Sequence, residues 1–325
     1  MSTEFTRRQA LVAIGLLGLT GRQIRAADAV YPMRPVRVIV PYGPSTGTDL
    51  LARYLAEQLT AQWKQGVIVE NRTGAGGVIG TQALLNSAAD GYTLGMVAST
   101  HVINGAVYSN LAFNPVEDFV WLASLASTPL VLVAPTTAYP SLKDLMAHAR
   151  AAPGSINYGS VGNGSVTHLA VELLQKQGSV RLQHVPYNAP GQLTTALIGG
   201  EVTLAAMAIA TALPQFKAGR LRILAICSPQ RSKVLPEVPP VADEVPGYDL
   251  TPWIGLIARK GVPAEVTRQV EAGVAQVVAQ RGFETRLGEL GMDPQVKPGA
   301  EFASMARSDL KKWREIVAAA GIKPQ

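Results

Sequence analysis

Apolar positions along the chain follow two periods in turn. "VRVIVPYG" (residues 36 to 43) reads as a strand. A Gly/Pro/Ser/Thr loop follows it, and "DLLARYLAEQLTAQW" then repeats apolar residues at helical spacing. "GVIVENR" is the next strand, "TGAGG" a loop, "VIGTQALLNSA" a helix and "GYTLGMVAS" a third strand. Strand–helix–strand–helix–strand is the sign of a parallel sheet with covering helices. The order recurs further on. "SINYGS", "RLQHVPY", "EVTLAAMAIA" and "RLRILAIC" read as strands, with the helices "VTHLAVELLQKQ" and "GQLTTALIGG" among them. Between the two halves, "VWLASLASTPLVLVAPT" can cross from one domain to the other, and "TPWIGLIARKG" can cross back. Two helical stretches, from Ala264 and from Ala300, finish the chain and are expected to pack on the first domain. The expected division is a signal segment at 1–29, one domain from 30–126 with 252–325, and a second at 127–251.

In open parallel sheets, ligands sit outside the carboxyl ends of the strands. Two such domains joined by crossing strands face each other across a cleft, the layout of a hinged binding protein. The Gly-rich loops 43–48 and 159–165 each follow a first strand and point into that cleft. Bare N–H groups at a helix N-terminus are a natural seat for an anion. Ser160, Gly162, Asn163, Gly164 and Ser165 are therefore candidate ligand groups, or a turn with an N-cap. Tyr42, Ser45 and Thr46 are candidates on the opposite loop. Asp49 either caps the helix that follows or meets a ligand hydroxyl. Ser99 and Thr100, at the end of the third strand, face the cleft or cap what comes next. His168 lies one turn into its helix and touches either a ligand acid or a neighbour. Tyr187, at a strand end, offers ring surface and a hydroxyl. Gly74-Ala75-Gly76-Gly77-Val78-Ile79 puts isoleucine where a dinucleotide fingerprint needs its last glycine or alanine, which argues against a nucleotide.

The bulk numbers remove several classes. The chain has 325 residues, 47% hydrophobic and 16% charged, which is globular rather than disordered. Its single cysteine, Cys227, allows no internal disulfide and reads as a small buried hydrophobe. Four histidines show no metal-ligand spacing, so no metal is expected. The net charge of +6 comes from scattered residues, which speaks for a mild preference for anions and against nucleic acid. A hydrolase is disfavoured as well: Ser160 sits in "YGSVG" without the first glycine of a nucleophile elbow, and no histidine follows His184. At the N-terminus, Arg7 and Arg8 precede an apolar run too short to span a bilayer, and Ala27-Asp28-Ala29 fits a cleavage site. This is an export signal, ordinary or twin-arginine.

Several segments carry a resemblance from about Tyr31 to the end. "YPMRPVRVIVPYGPSTGTDLLAR", "VENRTGAGGVIGTQALLNSAADGYTL", "NPVEDFVWLA", "INYGSVGNGSVTHLAVELL", "HVPYNAPGQ" and "KWREIVAAAGIKP" resemble the Bug-type extracytoplasmic solute receptors, the binding components of tripartite tricarboxylate transporters. The resemblance implies an α/β, type II periplasmic binding protein fold. Its two doubly wound domains are joined by two crossing strands. It implies a periplasmic, monomeric carrier rather than an enzyme. The ligand would be a small carboxylate, the partner integral membrane transporter subunits, and no cofactor would be needed. Two departures stand out. Pro44-Ser45-Thr46-Gly47-Thr48-Asp49 replaces the usual Pro-Gly-Gly-x-x-Asp, and Ala206-Met207 stands where a Phe-Asp pair is common. Met207 would give soft apolar contact, and losing that Asp favours a dicarboxylate or an aromatic carboxylate over an amino acid. The same cleft would equally serve a sensor that presents its ligand to a signalling partner.

Overall fold

Strand β1 (Val36–Val40) is buried at its four apolar positions, and only Arg37 is half-exposed. It lies parallel to β2 (Val67–Asn71) and β3 (Thr93–Ala98), with Val38 opposite Val69 on one side and Leu94 on the other. The structure is a computed structural model and describes residues 31–322; the expected signal segment lies outside the described residues. With β4 (Phe119–Ser127), β10 (Trp253–Arg259) and β11 (Asp293–Pro298), these strands form a six-stranded sheet in the order β11-β4-β10-β3-β1-β2. The second sheet runs β7-β6-β8-β5-β9. Its strands are β5 (Leu130–Pro135), β6 (Asn157–Ser160), β7 (Gln183–Pro186), β8 (Leu204–Ala208) and β9 (Leu221–Ile226).

The sheets are mixed where the periodicity predicts parallel ones. Strands β1, β2 and β3 are mutually parallel, as are β6, β7 and β8, but β10 runs antiparallel to β3 and β4, and β5 antiparallel to β8 and β9. The crossing strands explain this. β5 enters the second sheet at the edge where its parallel strands end, and β10 enters the first sheet likewise, so each must run against them. The crossings meet at Thr128, whose N–H donates to the Pro252 carbonyl at 2.8 Å.

Helices follow most strand ends: α1 (Gly47–Trp63), α2 (Val78–Leu85), α3 (Thr100–Val107), α4 (Leu142–Ala151), α5 (Val166–Gly178), α6 (Pro190–Ile198) and α7 (Ile209–Lys217). The last helices are α8 (Ala264–Val278), α9 (Arg281–Glu289) and α10 (Gly299–Ala319). The periodicity does not foretell α3, α4 or α7, and leaves α9 and β11 unread. β8 passes into α7 without a turn, and Pro214 sits inside that helix. β11 holds two prolines, which cannot donate to a ladder, and its pairing with β4 slips between Pro294 and Lys297. Both final helices pack on the first lobe, as expected: α8 on α1 and β4, and α10 on β4 and α3. α10 reaches α5 of the second lobe as well.

One glycine in the first lobe allows a close approach. A Cβ on Gly255 of β10 would lie 2.4 Å from the Phe302 ring of α10 and 2.7 Å from the Ala123 carbonyl. Phe302 is itself wedged edge-on between Trp121 and Trp253. Gly255→Ala is expected to lower stability by about 1–3 kcal/mol through overpacking, a fall in melting temperature visible by circular dichroism.

Candidate functional site

The carboxyl ends of β1, β3, β6, β7 and β8 open onto one cleft of about 380 Å³ between the lobes. After each of these strands a helix begins at the cleft, and four of the helices bring a threonine there in their first turn. These are Thr48 of α1, Thr100 of α3, Thr167 of α5 and Thr211 of α7. α6 contributes Pro190, and Thr128 and Pro252 come from the crossings. First-turn N–H groups have no intrahelical partner, and each helix start carries about +0.5 elementary charge. The other lining residues are apolar, among them Leu130, Val161, Val166, Leu193 and Met207, and none of the lining residues is charged. Positive potential in this cleft thus comes from backbone dipoles, with hydroxyls to aim it.

Tyr42, Thr46, Thr100 and Met207, of the residues singled out in the sequence, line the cleft. The Tyr42 hydroxyl accepts the Ala98 N–H at 3.3 Å. Burial pushes this phenol up to about 12, against the lowering effect of hydrogen bonds with Ala98 and Thr100, so it stays neutral. Thr46 caps α1 by accepting the Asp49 N–H at 3.4 Å and donates to the Gly43 carbonyl at 2.8 Å.

The other candidates are placed elsewhere. Ser45 and Asp49 are turned to the support of their loop: Asp49 is buried and accepts the Ser45 N–H at 2.9 Å, Asn71 Nδ2 at 2.8 Å and Arg53 Nε at 3.1 Å. Burial pushes its carboxyl up, and these bonds outweigh it, leaving the pKa below the usual carboxylate value. Ser99 is tied to the returning crossing; its Oγ accepts the Trp253 N–H at 2.7 Å. Tyr187 is half-buried against the second-lobe core and absent from the cleft wall, its phenol raised by burial and by the neighbouring Glu201 carboxylate.

The loop between β6 and α5 corrects the sequence reading most. Its N–H groups are largely consumed by its own side chains. Val161 N–H donates to Thr167 Oγ1 at 3.1 Å, Gly162 N–H to Ser160 Oγ at 3.2 Å, and Gly164 N–H to His168 Nδ1 at 3.0 Å. Ser165 N–H bonds the Gly162 carbonyl, and Ser165 Oγ caps α5 through the His168 N–H. Ser160 is fully buried, Asn163 is exposed to solvent, and neither lines the cleft. Gly162, Gly164, Ser165 and His168 are likewise absent from its wall. The loop meets the cleft through Val161, Val166 and Thr167 instead. Those residues, with Thr48, Thr128 and Thr211, escaped the sequence reading. A threonine just past a strand end was the available signal.

The chain matches the family described as "Tripartite tricarboxylate transporter family receptor" over residues 51–322. It is 31% identical to Protein BugT of Bordetella pertussis over 324 residues, 98% of this chain and 99% of that protein. Among solved structures it is similar to R. palustris Rpa4515 with adipate, with a TM-score of 0.78 and 28% identity, covering 91% of this chain and 100% of that one. MatC from Rhodopseudomonas palustris with bound malate gives a TM-score of 0.73 and 28% identity over 88% of this chain and 100% of that one. The fold is that of the two-lobed periplasmic binding proteins.

Proposed function

The chain belongs to the tripartite tricarboxylate transporter family of receptors, and on that premise we propose that it captures a small dicarboxylate or aromatic carboxylate in its interlobe cleft. The family consists of solute-binding receptors rather than enzymes. The observation that carries the ligand reading is the wall itself: helix N-termini from both lobes, apolar side chains between them, and no charged residue. An anion gains from the dipoles. An ammonium group would find no acid among the lining residues, which disfavours amino acids. Rpa4515 and MatC carry adipate and malate, two acids of this class.

Contacts from both lobes are complete only when the cleft is closed. The ligand therefore shifts the population towards closure by its added affinity for that state. The lobes, 30–126 with 252–325 and 127–251, hinge in this reading at Thr128 and Pro252. Export by the segment 1–29 would put the protein in the periplasm as a monomer, delivering its ligand to integral membrane subunits of a tripartite transporter. No helix among the described residues is long and apolar enough to cross a membrane.

A thermal-shift screen of residues 30–325 tests the ligand class. The panel holds amino acids, aliphatic diacids, citrate-type acids and aromatic acids. A ligand at about 100 times its dissociation constant adds roughly 2.7 kcal/mol, a rise on the order of 5 °C for a chain of this size. Diacids or aromatic acids are expected to give it. Stabilisation by amino acids alone would overturn the ligand class.

A further inference from the structure

Beneath the loop between β6 and α5 lies a polar cluster, buried at Tyr158, Ser160 and His168 and half-buried at Glu172 and His184, that does not line the cleft. Glu172 Oε1, on α5, accepts the Tyr158 hydroxyl from β6 and Gln175 Nε2 at 2.7 Å, and it stands 3.5 Å from His168 Nε2. The His168 ring stacks on His184 of β7 with centroids 3.9 Å apart and planes 8° apart. His184 Nε2 meets Ser160 Oγ at 2.7 Å. From this cluster two contacts reach the loop: His168 Nδ1 holds the Gly164 N–H, and Ser160 Oγ holds the Gly162 N–H.

The Gly164 bond fixes the state of His168. An N–H donates to Nδ1 only if Nδ1 is unprotonated, so the ring proton sits on Nε2 and faces Glu172. Gly164 is held at φ +72°, and a Cβ there would lie 2.9 Å from Val107 of α3, so this point of the loop abuts the first lobe. Two and three residues later, Val166 and Thr167 line the cleft.

We propose that His168 is a positioning residue for ligand capture: its unprotonated Nδ1 accepts the Gly164 N–H and so holds the loop that aims the start of α5 at the ligand. This rests on reading the cleft as the ligand site.

The groups facing the His168 ring fit this role. Tyr158 comes from β6, His184 from β7 and Glu172 from α5 itself. Lys176 of α5 shares a surface pocket with Glu172. β8 and α10, which also pack on α5, add Leu204, Ala206, Ile316 and Val317 to the core there. Burial above all holds His184 down at about 4, so it is neutral where histidines commonly titrate. Burial pushes the Glu172 carboxyl up, but hydrogen bonds with His168 and Tyr158 outweigh it and lower its pKa, so it faces the ring as a carboxylate.

The test compares two variants of ¹⁵N-labelled protein at one neutral pH. His168→Asn keeps an acceptor where Nδ1 stood; His168→Leu removes it. The Gly164 amide resonance reads the tether, and calorimetry with adipate reads capture. His168→Leu is expected to shift the Gly164 resonance and to bind adipate about tenfold more weakly, while His168→Asn stays near the wild type in both. A Gly164 resonance unmoved by His168→Leu would overturn the tether. Equal affinity in the wild type and His168→Leu, or equal losses in His168→Leu and His168→Asn, would overturn its role in capture. If no acid of the screen binds, the ligand-site reading falls, and with it the role in capture, whereas the Gly164 resonance still decides the tether.

Discussion

Met207→Asp is expected to abolish carboxylate binding. Residue 207 lies near the end of β8, lines the cleft, and immediately precedes Ala208, the N-cap of α7. A carboxylate placed there gains from the α7 dipole and so stays ionised. It then occupies the potential that the ligand would use and repels the ligand directly. Two unit charges roughly 5 Å apart at an effective dielectric near 20 interact by about 3 kcal/mol, more than a hundredfold in affinity. Met207→Asn separates charge from shape, because its side chain matches Asp in size. It should weaken binding less than tenfold, the loss of apolar contact alone. Calorimetry with the strongest acid of the screen reads both variants, and melting curves verify that each is folded. Equal affinities for Asp and Asn variants would mean that the ligand anion does not approach this strand end.

Position 207 was legible only through the resemblance, which sets Ala206-Met207 where a Phe-Asp pair is common; the helix that begins just after it was not. The alternation of apolar runs in β1 and β6 and the helical spacing of α1 and α5 are local patterns, and the structure has those elements where the patterns lie. Ser99 could not be read the same way. Its hydroxyl is taken by Trp253, 154 residues away, a pairing created only by the return crossing. The Gly/Ser loop 159–165 was legible as a loop that holds something, and what it holds is largely itself. Three side chains close by, Ser160, Thr167 and His168, take the N–H groups that an anion would have used. Threonines 48, 100, 167 and 211 look unrelated in a one-dimensional sequence. They converge because each follows a strand whose carboxyl end the sheets point at the same cleft.

Asp49→Ala is expected to lower stability at neutral pH and to weaken binding together. The Asp49 carboxylate collects the Ser45 N–H, Asn71 and Arg53, and Asn71 in turn donates to the Tyr42 carbonyl at 3.0 Å. Removing the acceptor leaves donors of a nearly closed site unmatched, a loss of about 2–4 kcal/mol given that Arg53 is half-exposed and regains water. Tyr42, Thr46 and Thr48 sit on this framework and line the cleft, so affinity should fall as well. Acid separates the carboxylate's contribution from mere side-chain volume. Asp49 has a pKa below the usual value in the folded protein, against about 3.9 in an unfolded chain. Its contribution is therefore complete above the unfolded value and is lost as pH falls through the folded one. Urea melts of the wild type and Asp49→Ala should differ most near neutrality and draw together on the acid side of pH 3.9. A gap that stays constant into acid would assign the effect to packing around residue 49, and the loop would then stand on Thr46 and its cap.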